Sequence, residues 1–148
     1  MKAGIGCPVH VPFETVRSSP TAAVPVIAQL PFYPAADMNR AYPSFEEFAD
    51  GYLLTRDSMI WFADAYRADL DHMRGSPMAA DLRGLPPAVV VTASLDPIRD
   101  EGRAYAAALA QAGVAVVFRE ARGNVHGFIN IRRRFRRAAA TWQARSRR

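Results

Sequence analysis

The sequence predicts an α/β fold: a short parallel sheet, with strands near residues 24–30, 88–93 and 114–118, flanked by helices. Three observations predict it. The apolar runs at these places are continuous and rich in β-branched residues, as expected of strands covered on both faces. Segments with apolar residues at helical spacing lie between them. The resulting order, strand, helices, strand, helix, strand, helix, supplies the crossovers that parallel neighbours require.

A chain of 148 residues is one domain's worth. Folded on a single core, it would bury about 68–70% of its unfolded surface. Half of its residues are hydrophobic, which suits a globular protein. The one cysteine, Cys7, excludes an internal disulfide and favours a cytoplasmic setting. Net charge is +5, unevenly spread: residues 121–148 hold nine arginines and no acid, so residues 1–120 are net acidic. The start of the chain, with Pro8 and Pro12, has no apolar stretch of secretory-signal length. The longest uncharged run, 18–36, contains Pro20, Pro25, Pro31 and Pro34, which would remove backbone donors from any membrane helix. No membrane span is expected.

Residues 1–23 show no period and are punctuated by Gly4, Gly6, Pro8, Pro12 and Pro20. They read as an irregular N-terminal segment, and 24–148 as the folded part. Residues 24–30 form the first strand, weakened at Pro25, and a Pro-rich loop runs on through Asp37. Ser44 and Glu47 have capping-box spacing, so a short helix is expected from Ser44 to a stop at Gly51. Thr55 is a candidate N-cap for a helix reaching about Ala68, with Met59, Ile60, Phe62, Ala63 and Tyr66 spaced for one buried face. Residues 69–83 read as a polar loop containing Ser76-Pro77.

The second strand follows the Pro86-Pro87 stop. A helix over 100–111 should turn Ala104, Tyr105, Ala108 and Leu109 inward, with Asp100 and Glu101 at its positive end and Gly113 as C′ residue. The third strand is 114–118. A last helix over about 133–144 would bury Phe135, Ala138, Ala139 and Trp142 and expose its arginines.

Six short marks then fall in one order: Tyr33-Pro34, Gly51-Tyr52-Leu53, Ser76-Pro77, Gly84-Leu85-Pro86-Pro87, Asp96-Pro97-Ile98-Arg99-Asp100-Glu101-Gly102, and His126-Gly127-Phe128. Together they resemble the C-terminal half of an α/β-hydrolase fold-3 enzyme, the hormone-sensitive-lipase-like carboxylesterases. The resemblance implies a carboxylic-ester hydrolase, with Asp96 as triad acid, His126 as triad base and a small acyl ester as substrate. The physics agrees. Asp96 follows the carboxyl end of a strand, where open α/β sheets place ligands. It would fix the His126 tautomer and stabilise an imidazolium. The plainer readings are a helix-entry cap for Asp96, with Pro97 at N1, and a structural loop role for His126.

Such enzymes also need a Gly-x-Ser-x-Gly elbow and a His-Gly-Gly type oxyanion loop. Neither pattern occurs in the 148 residues. Cys7 has no strand ahead of it, and Ser18, Ser19, Ser44, Ser58 and Ser76 read as turn or cap residues. Ser94 reads as a packing or local-bonding residue at a strand end. An acid–base pair without a nucleophile and oxyanion donors has nothing to activate, so the chain alone is expected to be inactive. His10, His72, His126 and Cys7 lack metal-ligand spacing, and no glycine-rich phosphate loop follows a strand, so neither metal nor cofactor is expected. Strand 24–30 would lack the neighbour that the family places beside it. That open edge is expected to pair with another copy or with an N-terminal half. The alternative is a non-catalytic binding module using the Arg-rich C-terminal helix on nucleic acid or an anionic surface. No base-reading motif accompanies those arginines, which makes nucleic acid the weaker partner.

Overall fold

A computed structural model describes residues 26–67, 69, 73 and 75–131. In chain order they form α1 (Pro43–Glu47), α2 (Arg56–Tyr66), a 3₁₀ turn (Pro77–Ala79), β1 (Ala88–Leu95), α3 (Arg99–Gln111), β2 (Val116–Val125) and α4 (Phe128–Ile131). The expected last helix, with its Arg-rich face, lies outside the described residues, as do Cys7, His10 and His72. Among the described residues, no helix is long and apolar enough to cross a membrane.

β1 and β2 pair in parallel, with α3 as the crossover between them. The first expected strand is reduced to two bridges, Gln29 to Ala88 and Phe32 to Val91. Gln29 N–H donates to Pro87 O, Val89 N–H to Gln29 O, and Val91 N–H to Pro31 O. The register is that of a third parallel strand. Pro31 cannot donate at the intervening position, so the ladder breaks between the two bridges. The Gln29 amide reinforces the join: its Nε2 donates to Pro86 O, and its Oε1 accepts from the Tyr105 hydroxyl.

β1 is mostly apolar, with Thr92 and Ser94 its polar residues, and it is covered on both faces over Val90–Ala93. Ala88 and Val90 pack with Tyr105, Ala106 and Leu109 of α3, together with Leu82, Leu85 and Val114. Val91 and Ala93 face the other way, against Tyr33 and Phe128. The period of two along the strand thus separates two small cores. Gly102 lets α3 approach closely: a Cβ there would lie 2.6 Å from Thr92 Cγ2 and 3.4 Å from Pro34 Cδ.

Several boundaries differ from the sequence expectations, each for a local reason. Ser44 is not an N-cap. It is the second residue of α1, fully buried, with its hydroxyl donating to Pro97 O and accepting from Asp100 N–H. Its own N–H donates to Asp100 Oδ2. The serine docks α1 on the start of α3, and Glu47 pairs with Arg99 at 2.8 Å. α1 ends at Glu47, before Gly51.

Thr55 does cap α2, in a reciprocal box with Ser58. The helix stops at Tyr66 because Arg67 adopts a left-handed backbone. None of its residues is buried; of the expected inward face Met59 and Ala63 are half-buried, and Ile60, Phe62 and Tyr66 are exposed. The 69–83 loop contains the 3₁₀ turn. Val114 lies past the end of α3 and caps it, its N–H donating to Leu109 O, so β2 starts two residues later than expected. It then runs on through a polar stretch to Val125, because the β1 ladder continues alongside it.

Candidate functional site

Asp96 follows β1 directly and is completely buried. Its two oxygens are divided. Oδ1 accepts from Ile98 N–H at 3.0 Å, turning the chain into α3, and Asp96 O accepts from Arg99 N–H. Oδ2 lies 2.9 Å from His126 Nδ1. The helix-entry role and the histidine contact therefore coexist on one side chain. α3 itself starts at Arg99, two residues beyond Pro97.

His126 occupies the turn after β2, with its side chain 18% exposed. A register shift brings it there. Ala93 pairs with Ala121, but Leu95 pairs with Val125, so two steps along β1 are matched by four along β2. The extra residues form a bulge at Arg122–Asn124. Gly123 has φ +70 and donates its N–H to Ser94 Oγ at 2.8 Å. A bulge of this kind re-aims the end of a strand, and here it directs the following turn toward Asp96. Ser94, which reads as a local packing residue, is the side chain that holds the bulge.

A carboxylate only accepts, so His126 Nδ1 carries a proton, and in the neutral imidazole Nε2 then holds the lone pair. A pair with this geometry can fix one tautomer and stabilise an imidazolium. Ser44, Ser58, Ser76 and Ser94 all bond elsewhere. Ser76 Oγ, also buried, donates to Ala36 O at 3.4 Å and lies 3.5 Å from Asp37 Oδ1. Among the described residues, no cluster of His, Cys, Asp or Glu could hold a metal ion.

Sequence reasoning underread two residues beside the pair. The Tyr33 ring packs 4.4 Å from the His126 ring, centroid to centroid, at 56°, and meets Phe128 edge-on at 5.8 Å. Burial, with the Asp96 charge adding, raises the Tyr33 phenol. Glu101, which reads only as a charge at the positive end of a helix, is 6% exposed. One of its oxygens accepts from both Ala36 N–H and Asp37 N–H, the latter at 2.6 Å. Desolvation pushes its carboxyl up to about 7, against the two amides and with Asp37 and Asp96 adding to the rise. The missed signal was spacing: Glu101, Tyr105 and Leu109 form an i, i+4, i+8 stripe. Asp37 in turn accepts from the Tyr42 hydroxyl at 2.7 Å, and burial and that bond push the Tyr42 phenol up to about 12.

Residues 12–130 match the family model described as alpha/beta hydrolase fold. The chain is 41% identical over 112 residues to the carboxylic ester hydrolase LipN of Mycobacterium tuberculosis, covering 72% of this chain and 30% of that protein. It is 33% identical over 137 residues to ethyl acetate hydrolase of Pseudomonas putida, covering 87% and 43%. Among solved structures, a thermostable esterase from Pseudomonas putida superposes with a TM-score of 0.71 at 37% identity, over 77% of this chain and 38% of that one. An esterase from Pyrobaculum calidifontis gives 0.71 at 35%, over 78% and 40%. The chain thus spans well under half the length of these relatives. The parallel sheet with its crossover helix, the family match and the relatives at this identity agree: the chain belongs to the α/β-hydrolase-fold family, in its carboxylesterase- and lipase-like fold-3 group.

Proposed function

We propose that this chain is the C-terminal portion of a carboxylic-ester hydrolase, in which Asp96 is the triad acid and His126 the base. The observation that carries the reading is the 2.9 Å contact between His126 Nδ1 and Asp96 Oδ2 at the carboxyl end of a parallel strand. In the reaction, a serine hydroxyl attacks the ester carbonyl while His126 Nε2 takes its proton. The imidazolium, held by Asp96, then protonates the leaving alkoxide. An acyl-enzyme remains, which water cleaves by the same proton transfers in reverse roles. Neither the Gly-x-Ser-x-Gly elbow nor the oxyanion loop is among the 148 residues. In this reading, serine and oxyanion donors are supplied by polypeptide that pairs along residues 26–32. The exposure of Ile27 (83%) and Leu30 (58%) beside the bridged segment supports that docking edge.

The test is p-nitrophenyl ester hydrolysis by the chain alone and by the chain mixed with the elbow-bearing portion of an esterase relative. Alone, activity should stay near background. Reconstituted activity should fall by about 10³–10⁴-fold in Asp96→Asn, which keeps the shape but favours the wrong imidazole tautomer. Activity of the isolated chain that falls in the same variant would place the nucleophile within these residues. Reconstituted activity indifferent to both Asp96→Asn and His126→Ala would reject the triad assignment.

A further inference from the structure

One hydrogen bond to Asp96 fixes a single nitrogen of His126 and leaves the tilt of its ring free. The second contact on that ring is Tyr33, and Tyr33 is held in an unfavourable backbone. Its φ is +38, a left-handed value that a bulky residue adopts only under strain. Such a conformation persists only where its surroundings over-determine it. On one side Tyr33 N–H donates to Val91 O and ties the residue to β1. On the other, Pro34 restricts the chain, and two residues later Ala36 and Asp37 both donate to Glu101. Ala36 O accepts from Met78 N–H at 2.9 Å, so the 3₁₀ turn closes over the same loop. Glu101 reaches these amides because Gly102, next to it, lets α3 lie against Pro34.

We infer that Tyr33 and Glu101 are positioning residues for His126: Glu101 clamps the 36–37 amides, and the clamped loop presses the Tyr33 ring onto the imidazole. The functional weight of this inference rests on the triad assignment proposed above. Its structural content does not. Glu101 makes no hydrogen bond to Asp96 or His126, and its charge, which Asp96 does feel, is removed alike in Glu101→Gln and Glu101→Met, so a difference between those two variants passes through the loop. The Tyr33 contact is one of ring on ring, so phenylalanine should satisfy it.

The experiment is NMR of the full chain with ¹⁵N-labelled histidine. It follows solvent exchange of the His126 Nδ1 proton and the cross-relaxation between the Tyr33 and His126 rings. Tyr33→Phe and Glu101→Gln, which keep the ring and the accepting oxygen, should match the parent. Tyr33→Leu and Glu101→Met should speed exchange by about three- to tenfold, the range an aromatic pair supplies. Glu101→Met should also weaken the ring-to-ring signal. Unchanged exchange in both, with β1–β2 amide protection intact, would overturn the inference. If Glu101→Met does not fold, Glu101→Asp, one methylene short of the two amides, decides by the same readout. Hydrolysis is not measured, so the positioning claim and the triad assignment can fail separately.

Discussion

α2 and α3 are helices of similar length, and they teach opposite lessons. α2 has the better local start, with Thr55 and Ser58 exchanging bonds in a capping box. Yet it buries nothing, and Ile60, Trp61, Phe62 and Tyr66 stand 44–65% exposed. α3 has Ile98 at its N-cap and no side-chain cap bond. It nevertheless buries Glu101, Gly102, Tyr105, Ala106 and Leu109. Its start is secured from outside, by Asp96 on Ile98 N–H and by Ser44 on Asp100 N–H. Capping decides where a helix begins, while a sheet decides whether its face is covered.

The largest loss is expected at Leu109, which is fully buried between α3 and β1. Leu109→Ala should cost about 2–5 kcal/mol in denaturant unfolding, through lost burial and the cavity left behind. A loss under about 1 kcal/mol would mean that the α3 face packs far more loosely than described.

A second test uses the charge that α3 hides. The Glu101 carboxyl is pushed from 4.5 up to about 7, chiefly by desolvation. An acid with its folded pKa raised binds its proton more tightly folded than unfolded. Its stabilising contribution is complete below about pH 4.5 and is lost as the pH rises through 7. The fall should approach roughly 3 kcal/mol across that window. Glu101→Gln should flatten it. A parent whose stability rises from pH 5 to 7, with no difference in the variant, would contradict the burial of this carboxyl.

The smallest effect belongs to α2. Trp61, 65% exposed and stacked edge-on with Phe62 at 5.1 Å, should tolerate Trp61→Ser within about 0.5 kcal/mol in the isolated chain. A loss comparable to that at Leu109 would show that the α2 face is covered after all.

Much of this arrangement was legible in the sequence. The continuous apolar run of β1, the cap at Thr55, the left-handed Gly113 and the pairing of Asp96 with His126 all follow from local chemistry and the order of motifs. The strand at 24–30 was legible only in register, because Pro31 breaks the ladder it would otherwise share with β1. Ser44 carries a capping pattern, but its oxygen is taken by Pro97 and Asp100, more than fifty residues away.

Legible along the chain were the residues that favour strand or helix, the helix start at Thr55, and the carboxylate and imidazole that are candidates for one site. Those properties depend on near neighbours or on a motif pattern. Long-range packing settled that no residue of α2 is buried, that Glu101 grips a distant loop, and that a two-residue slip at Gly123 carries His126 to Asp96. Each of these is set by what packs opposite, or fails to, among segments far apart along the chain: a local stripe can mark Glu101 as inward-facing but cannot name the amides it meets.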